Sequence, residues 1–295
     1  QYVTQLVAKS PTPDVIAMDL IWPGEFASNQ WLTPLSAYFP PDDQVKFIDN
    51  ITSAAVLDDE VYAAPLYING LHLYYRTDLL EKYGFQPPAT WEELVLQAKH
   101  ITENEKDPML RGYVSMWAKI EGLFMNYLQF LWGNGGSFFD EAGNVIVNNS
   151  VGTEALQFMQ DMLYKHEIVP DSVLGYRPDD ARVLFQQGRA VFMVVQDFVW
   201  PMLTGPDSEV ADVVDFTRVP YFEGHEMTDT VCLGGWLLGI NRFSQHRAEA
   251  WKLIEFMTDH EAQLRMAVVT GNLPTRRAVY DDERLHKEFP AARQQ

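Results

Sequence analysis

The chain has 295 residues, 47% of them hydrophobic and 13% aromatic, and its 22 basic and 41 acidic side chains give a formal net charge of −19. So much apolar material excludes a disordered chain, and a chain of this length is expected to fold as two lobes. The negative charge, without a cluster of Lys and Arg, excludes a nucleic-acid-binding surface. The apolar runs are shorter than the ~20 residues that span a membrane, and the sequence after Gln1 lacks the pattern of a signal segment.

Short apolar runs alternate with helical patterns along the chain. The runs predict strands at 15–18, 70–75, 113–115, 190–195, 213–217 and 233–240. Strands separated by helices are typical of an α/β fold in which helices cover mostly parallel sheets.

Helix starts and helix faces are also visible. Two capping boxes, Thr90 with Glu93 and Thr258 with Glu261, predict helix N-termini. In two stretches apolar side chains recur at the spacing of one helix face, which predicts a buried stripe on each helix. These side chains are Ala155, Phe158, Met159 and Met162 in the first stretch and Ala250, Leu253, Ile254 and Met257 in the second.

Two local features have structural interpretations. The segment 140–144, between apolar runs, predicts a hairpin turn; a calcium loop is the alternative, but the ligand spacing of an EF-hand is absent. Cys232 lies between Val231 and Leu233, so we predict a buried strand thiol, and a single cysteine excludes an intrachain disulfide.

Motifs of nucleophilic, nucleotide and zinc chemistry are absent from the sequence. His166, His225 and His260 each precede a Glu, but the positions that a zinc-binding helix would need for a second His are not His. We therefore predict no catalytic residue, no metal site and no cofactor. A glycoside hydrolase remains an alternative, with Asp19 and Glu121 as its carboxylates, because the sequence does not give their separation.

Aromatic and amide side chains instead collect at predicted strand ends. Ligands of open α/β sheets bind outside the carboxyl ends of strands, and flat rings can stack on sugar faces while polar side chains pair with hydroxyls. This combination predicts recognition of a polyol. The side chains are Asp19, Trp22, Tyr67, Asn69, Trp117, Glu121, Phe198, Trp200 and Trp236, the last beside Gly235.

The chain resembles the extracytoplasmic sugar-binding proteins of bacterial ABC importers, the maltose/trehalose-binding type. Each motif alone is weak, but together they occur in family order and cover nearly the whole chain. The matching stretches are PDVIAMDLIWPGEFASNQWLTPL, VYAAPLYINGLHLYYRTDLLEKYGFQPPATWEELVLQAKHI, EGLFMNYLQFLWGNGGSFFD, NNSVGTEALQFMQDMLY, ARVLFQQGRAVFM, LGGWLLGINRFSQHRAEAWKLIEFMT and GNLPTRRAVYDD.

The resemblance implies an α/β fold of two lobes, of the type II periplasmic-binding-protein class, with the ligand held in the cleft between them. Hinge crossings are expected at 68–71 and 233–237. The first lobe would comprise 1–67 and 238–284, and the second would comprise 72–232 together with the tail. The residues 285–295 would begin a C-terminal segment.

The resemblance also assigns ligand contacts by position. Stacking rings and hydroxyl partners are expected from both lobes, with the backbone of Gly235 presented at the second crossing. The implied contacts are Asp19, Trp22, Tyr67, Asn69, Glu121, Asn126, Tyr176, Asp179, Phe198, Gly235, Trp236 and Arg276. To these we add Trp200, from the aromatic pattern.

The implied function is capture of a carbohydrate, a di- or oligosaccharide, and its delivery to the permease subunits of an ABC importer. The lobes would close on the ligand without breaking a bond. The protein would be a monomer outside the cytoplasm, in the periplasm or lipid-anchored at the outer face of the cell membrane. A sensor or scaffold protein that has lost transport is a further alternative.

Two departures from the family pattern stand out. Many relatives have Asn-Trp-Pro-Tyr after the strand that ends in FM, where this chain has Val195, Gln196, Asp197 and Phe198. Relatives also continue beyond both ends of the chain, and 2–9 has the pattern of a helix already under way. We therefore expect that sequence is missing at both ends.

Overall fold

The computed structural model describes residues 2–225 and 231–289, and it divides the chain into two compact units. Unit 1 comprises Gln1–Asn69 and Leu233–Gln295, and unit 2 comprises Gly70–Cys232. We expected the residues after 284 beside the second lobe; this was wrong, because the last helix, Glu283–Glu288, packs on the helix His260–Thr270 of unit 1. The remainder of the predicted C-terminal segment, 290–295, lies outside the described residues.

The strands and helices alternate as the α/β prediction requires. The strands are β1 (Val15–Asp19), β2 (Val56–Leu57), β3 (Glu60–Val61), β4 (Ala63–Arg76), β5 (Arg111–Ser115), β6 (Ala190–Gln196), β7 (Val214–Thr217), β8 (Leu233–Ile240) and β9 (Leu273–Pro274). The helices are α1 (Tyr2–Val7), α2 (Pro23–Ser28), α3 (Pro41–Gln44), α4 (Asp49–Ser53), α5 (Thr77–Tyr83), α6 (Trp91–Glu105), α7 (Glu121–Gly133), α8 (Ser150–Tyr164), α9 (Pro178–Gln186), α10 (Trp200–Leu203), α11 (Arg247–Met257), α12 (His260–Thr270) and α13 (Glu283–Glu288). Short 3-10 turns occupy Asp171–Gly175, Asp197–Val199 and Arg277–Asp281.

The sheet of unit 1 is built on β8. Its partner β1 runs antiparallel from Val15 opposite Ile240 to Asp19 opposite Trp236. On its other side β8 lies beside β4, which also pairs with the short β9. The carboxyl end of β1 is therefore fixed next to the first residues of β8.

The sheet of unit 2 uses the second half of β4. This half pairs antiparallel with β6 and with β7, while β5 and β6 are parallel. The expectation of mostly parallel sheets was wrong for the described pairings: only β5 and β6, which have α7, α8 and α9 between them in sequence, run in the same direction. The helix α6 packs on β5 and α9 packs on β6, so this sheet is covered as an α/β fold requires.

Most predicted strands are confirmed, but the predicted strand 70–75 is only half of β4. This strand begins at Ala63 and includes Pro65, a residue that usually argues against a strand because it lacks an N–H donor. The pattern therefore missed the half of the strand that belongs to unit 1.

The predicted helix starts had mixed outcomes. The capping box of Thr90 and Glu93 is present at α6. At α12 the box is wrong: Asp259 is the N-cap and accepts from the N–H of Ala262, while the Thr258 hydroxyl donates to the carbonyl of Ile254 in the preceding helix. A carboxylate thus replaces the predicted hydroxyl and suits the positive end of the helix dipole.

The apolar stripe of α8 is confirmed: Ala155, Met159 and Met162 are buried in the core of unit 2, and Phe158 packs against it. The stripe of α11 is narrower than predicted, because Ala250 and Ile254 are buried but Leu253 is 47% exposed. Among residues 2–225 and 231–289, none of the helices combines the length and the apolar character that crossing a membrane requires.

The predicted hairpin at 140–144 is confirmed as a short turn. Phe139 and Val145 form an antiparallel bridge, and the Asp140 carboxylate accepts from the N–H groups of Ala142 and Asn144. Cys232, in contrast, is half-buried and lies just before β8 rather than within it.

The side chain of Gln263 joins three parts of unit 1. It is 1% exposed, and its amide nitrogen lies 3.3 and 3.1 Å from the carbonyl oxygens of Pro65 and Leu66 in β4. Its carbonyl oxygen accepts from the N–H groups of Thr275 and Arg276. One buried amide therefore satisfies backbone groups of both β4 and the segment after β9.

Replacing Gln263 with Leu should destabilise unit 1 by about 2–4 kcal/mol, because the buried N–H and C=O partners lose their hydrogen bonds without gaining water. Urea unfolding followed by circular dichroism measures the change. Gln245→Leu, at an exposed position of unit 1, is the control and should stay within about 0.5 kcal/mol of the wild type. Equal stabilities of the two variants would contradict the role of Gln263.

Candidate functional site

The predicted residues of unit 1 come together at the carboxyl end of β1. Asp19 is the last residue of β1, and the register places it opposite Trp236. The Trp22 and Trp236 rings are arranged edge to face, with centroids 6.2 Å apart. The Asp19 carboxylate accepts from the N–H of Ile21, which directs the turn that carries Trp22. Two indole rings and a carboxylate thus share one end of the sheet.

Tyr67 completes this group from β4. Burial, and secondly the negative charge of Asp19, raise the pKa of the Tyr67 hydroxyl above its usual value. The phenol therefore lies in the field of the Asp19 carboxylate and stays protonated, as a hydrogen-bond donor. We call Asp19, Trp22, Tyr67 and Trp236 the unit 1 cluster.

Gly235 permits this arrangement. A Cβ at this position would lie 2.8 Å from the backbone oxygen of Tyr67, closer than real Cβ contacts occur. The carbonyl of Gly235 accepts from the N–H of Leu20, just after β1. Because only glycine fits here, β8 can approach β4 closely at this point, and the next residue, Trp236, lies opposite Asp19.

Asn69 and Arg276 are held by protein contacts within unit 1. The Asn69 amide donates to the side-chain oxygen of Asn272, at 2.9 Å, and Asn272 was not among the predicted site residues. The Arg276 guanidinium lies over the Phe47 ring, and its Nε donates to the carbonyl of Thr258. Burial lowers the pKa of Arg276, partly opposed by nearby carboxylates. The structure therefore places Arg276 against the protein, away from the contacts that define the unit 1 cluster.

In unit 2, Glu121 is exposed at the first residue of α7. The negative charge of Glu121 also acts on the Cys232 thiol. Burial, and secondly this charge, raise the pKa of the thiol from its usual 9.0 to about 11. A carboxylate at a helix N-terminus is stabilised by the helix dipole. Glu121 therefore places a negative charge at the exposed first turn of α7 in unit 2.

Asn126 lies one turn further along α7 and is directed inward. It is 1% exposed, its Nδ2 donates to the carbonyl of Gly122, and its Oδ1 lies 2.7 Å from the Ser115 hydroxyl at the end of β5. This placement differs from the expected ligand contact. The side chain instead ties the first turn of α7 to β5, since both ends of its amide are used inside unit 2.

Tyr176 and Asp179 lie on either side of the start of α9. The Tyr176 hydroxyl shares a hydrogen bond of 2.7 Å with the Ser172 hydroxyl, and its backbone carbonyl accepts from the N–H of Ala118. The Asp179 carboxylate is 77% exposed and pairs with Arg182 one turn later. Both residues are accessible enough to contact a ligand.

Phe198 and Trp200 follow β6. Phe198 is half-buried, whereas Trp200 is 9% exposed and packs edge to face on Phe216, with centroids 5.0 Å apart. Trp117, also considered in the sequence, is buried in the core of unit 2. The ring of Phe198 is thus more exposed than the rings of Trp117 and Trp200, and it is better placed to stack on a ligand.

The sequence interpretation missed two buried polar residues of unit 2. Asp197 accepts a hydrogen bond from the N–H of Gly70, and His72 approaches the same carboxylate. The only sequence signal was the departure from the family pattern at Gln196 and Asp197. Within the described ranges, no three His, Cys, Asp or Glu side chains lie together in a way that could hold a metal ion.

The close approach at Gly235 generates a first test of the site. Gly235→Ala should destabilise unit 1 by about 1–3 kcal/mol, because the added methyl group forces β8 away from the Tyr67 carbonyl. Thermal unfolding measures the loss. Gly24→Ala, in α2 with open space around the new methyl group, should be neutral or slightly stabilising. A Gly235→Ala variant as stable as Gly24→Ala would contradict the geometry.

The thiol of Cys232 provides a second test. Because its pKa is raised to about 11, the reactive thiolate should be about 100-fold scarcer at pH 8 than for a thiol with the usual value. The rate of iodoacetamide alkylation against pH measures this pKa. Glu121→Gln should lower it, since a negative charge is removed, whereas Asp179→Asn should leave it unchanged. Alkylation that titrates near the usual value in the wild type would contradict the placement of Cys232.

Comparison with known proteins identifies the family of the chain. Residues 1–264 match the family described as bacterial extracellular solute-binding proteins. The chain is 32% identical over 293 residues to a probable ABC transporter-binding protein of Deinococcus radiodurans, covering 98% of this chain and 68% of that one. It is 23% identical to a putative binding protein of Brucella abortus, covering 93% and 65%. The chain thus spans about two thirds of the length of these relatives.

Solved structures show the same fold. Maltose-bound MalE3 of T. maritima superposes with a TM-score of 0.93 and 38% identity, covering 99% of this chain and 74% of that one. An ABC transporter solute-binding protein of Thermotoga lettingae, bound to α-D-tagatose, has a TM-score of 0.84 and 27% identity, covering 97% and 72%. The predicted two-lobe α/β fold is confirmed by these matches. They are binding proteins and not enzymes, so the glycoside hydrolase considered from the sequence is wrong. The chain belongs to the bacterial extracellular solute-binding protein family.

Proposed function

We propose that this protein captures a carbohydrate, a di- or oligosaccharide, outside the cytoplasm and delivers it to the permease of an ABC importer. The unit 1 cluster is the observation that carries the proposal. It combines two indole rings, a carboxylate and a protonated phenol at one end of a sheet.

The chemistry of the cluster suits a sugar. The apolar face of a pyranose can stack on Trp22 or Trp236, which removes apolar surface of both partners from water. The Asp19 carboxylate can accept from two hydroxyls, and the Tyr67 hydroxyl can donate to a third oxygen. A phenol is protonated at neutral pH, and the raised pKa of Tyr67 extends this to more alkaline pH. Such bonds recognise a ligand without breaking a bond within it.

The relatives support a carbohydrate as the solute. The similar structures contain maltose and tagatose, and a protein of Halalkalibacterium halodurans that is 25% identical over 166 residues is an arabinooligosaccharide-binding protein. Family membership supports a location outside the cytoplasm and permease subunits as partners. We further propose that the protein acts as a monomer.

Other predicted residues remain proposed contacts of the same ligand. Asn69 and the Gly235 backbone would add polar groups beside the unit 1 cluster, and Arg276 would contribute only if released from its protein partners. Asn126 would act indirectly, by holding the first turn of α7. The proposed contacts from unit 2 are Glu121, Tyr176, Asp179, Phe198 and Trp200.

Trp236→Ala should weaken sugar binding by about 1–3 kcal/mol, through lost burial and stacking, while the fold is retained. Isothermal titration with mono-, di- and trisaccharides, including maltose, measures the affinity, and circular dichroism checks the fold. The matched control is Phe256→Ala, which removes a 66% exposed ring on α11 and should not change the affinity.

An unchanged affinity in the Trp236→Ala variant would remove the indole from the proposed site. Binding of none of these sugars by the wild-type protein would refute the proposed function itself.

A further inference from the structure

Asp197 is a buried carboxylate outside the predicted set of ligand contacts. It is 0% exposed, and its Oδ2 accepts from the backbone N–H of Gly70 at 2.8 Å. The same oxygen lies 3.7 Å from Nε2 of His72. Burying a carboxylate costs free energy unless hydrogen-bond donors or positive charge compensate for the lost water. The contacts with Gly70 and His72 are therefore needed to keep Asp197 buried.

The carboxylate extends a strand pairing that would otherwise end. The ladder between β4 and β6 reaches Leu71 opposite Gln196, after which β6 gives way to a 3-10 turn that begins at Asp197. The side chain of Asp197 then supplies the acceptor for the next residue of β4, Gly70. An apolar residue of the same size could fill the space but could not hold this N–H.

Proposed ligand contacts adjoin both ends of this hydrogen bond. On one side, Gly70 is bonded to Asn69 and is three residues from Tyr67 in the same strand. On the other side, Asp197 is followed directly by Phe198, and Trp200 is three residues after Asp197. The Asp197 carboxylate therefore joins the first residue of unit 2 in β4 to the residue that precedes Phe198.

Aromatic packing fixes the surroundings of this carboxylate. The Phe216 ring lies edge to face against His72 and against Trp200, with centroids 5.0 Å away in both cases. His72 and Trp200 thus share one neighbour. The Asp197 carboxylate thus contacts both the N–H of Gly70 and the His72 ring, which itself packs on Phe216.

We infer that Asp197 is a positioning residue for carbohydrate binding, which holds β4 at Gly70 and the segment of Phe198 and Trp200 in one fixed arrangement. This inference rests on the proposed function. It assigns to Asp197 no direct contact with the sugar.

The test compares Asp197→Ala and Asp197→Asn with Asp215→Asn. Asp215 lies on β7 of the same sheet, and its carboxylate accepts from the Tyr75 hydroxyl, so its variant is a matched control. Sugar affinity is measured by titration calorimetry well below the melting temperature, and stability is measured without sugar.

Asp197→Ala should raise the Kd roughly tenfold or more, because the acceptor for Gly70 is lost. Asp197→Asn should restore the Kd to within about threefold of the wild type, since its amide oxygen can accept the same N–H. Asp215→Asn should leave the Kd unchanged.

A lower melting temperature of Asp197→Ala with an unchanged Kd would overturn the inference, because a residue that only stabilises the fold does not alter the affinity of folded molecules. An Asn variant that binds as weakly as the Ala variant would also overturn it.

If Asp197→Ala does not fold, Asp197→Glu replaces it in the test. The extra methylene displaces the carboxylate from Gly70, so an unchanged Kd of this variant overturns the inference. A wild-type protein that binds no sugar refutes the proposed function, and the inference with it, whereas failure of the Asp197 variants alone refutes only the inference.

Discussion

The close approach of β8 to β4 at Gly235 is the contact on which the unit 1 cluster depends. A side chain at this position would meet the carbonyl of Tyr67 at 2.8 Å, so the two strands can be neighbours here only through glycine. The same residue accepts from Leu20, which holds the end of β1 in place. Trp236, the next residue, consequently lies opposite Asp19 and beside Trp22. The close contact at Gly235 thus brings residues that are far apart in sequence, Asp19 and Trp236, to one end of the sheet.

Local sequence patterns predicted helices well where apolar residues recur at the helical spacing or where capping residues mark the helix start. The stripe of α8 and the capping box at Thr90 are examples, because helix periodicity and cap chemistry depend on neighbours in sequence. The length of β4 and the pairing direction of the sheets could not be read in this way. Strand partners such as β1 and β8 are more than 200 residues apart in sequence. Pro65 argues against a strand, so the first half of β4 was not predicted.

The candidate site was predictable in its residue types but less so in its contacts. Asp19, Trp22, Tyr67 and Trp236 were found because each lies near an end of a predicted strand and matches the family pattern. Asn126 has the same polar character, yet it faces inward, where its amide bonds to the Ser115 hydroxyl and to the carbonyl of Gly122. Asp197 and Asn272 gave little signal in the sequence because their contacts with Gly70 and with Asn69 join residues that are far apart in the chain.

The most direct test of the account is fluorine NMR of the protein labelled with fluorotryptophan at its 8 tryptophans. The signals are assigned by single substitutions, and maltose is added up to about 10 mM, a range that covers weak binding. The account predicts that the signals of Trp22 and Trp236 shift and saturate together, whereas the signal of the core residue Trp91 shifts little. Saturable shifts confined to other tryptophans, or none with maltose or any other sugar of the panel, would contradict it.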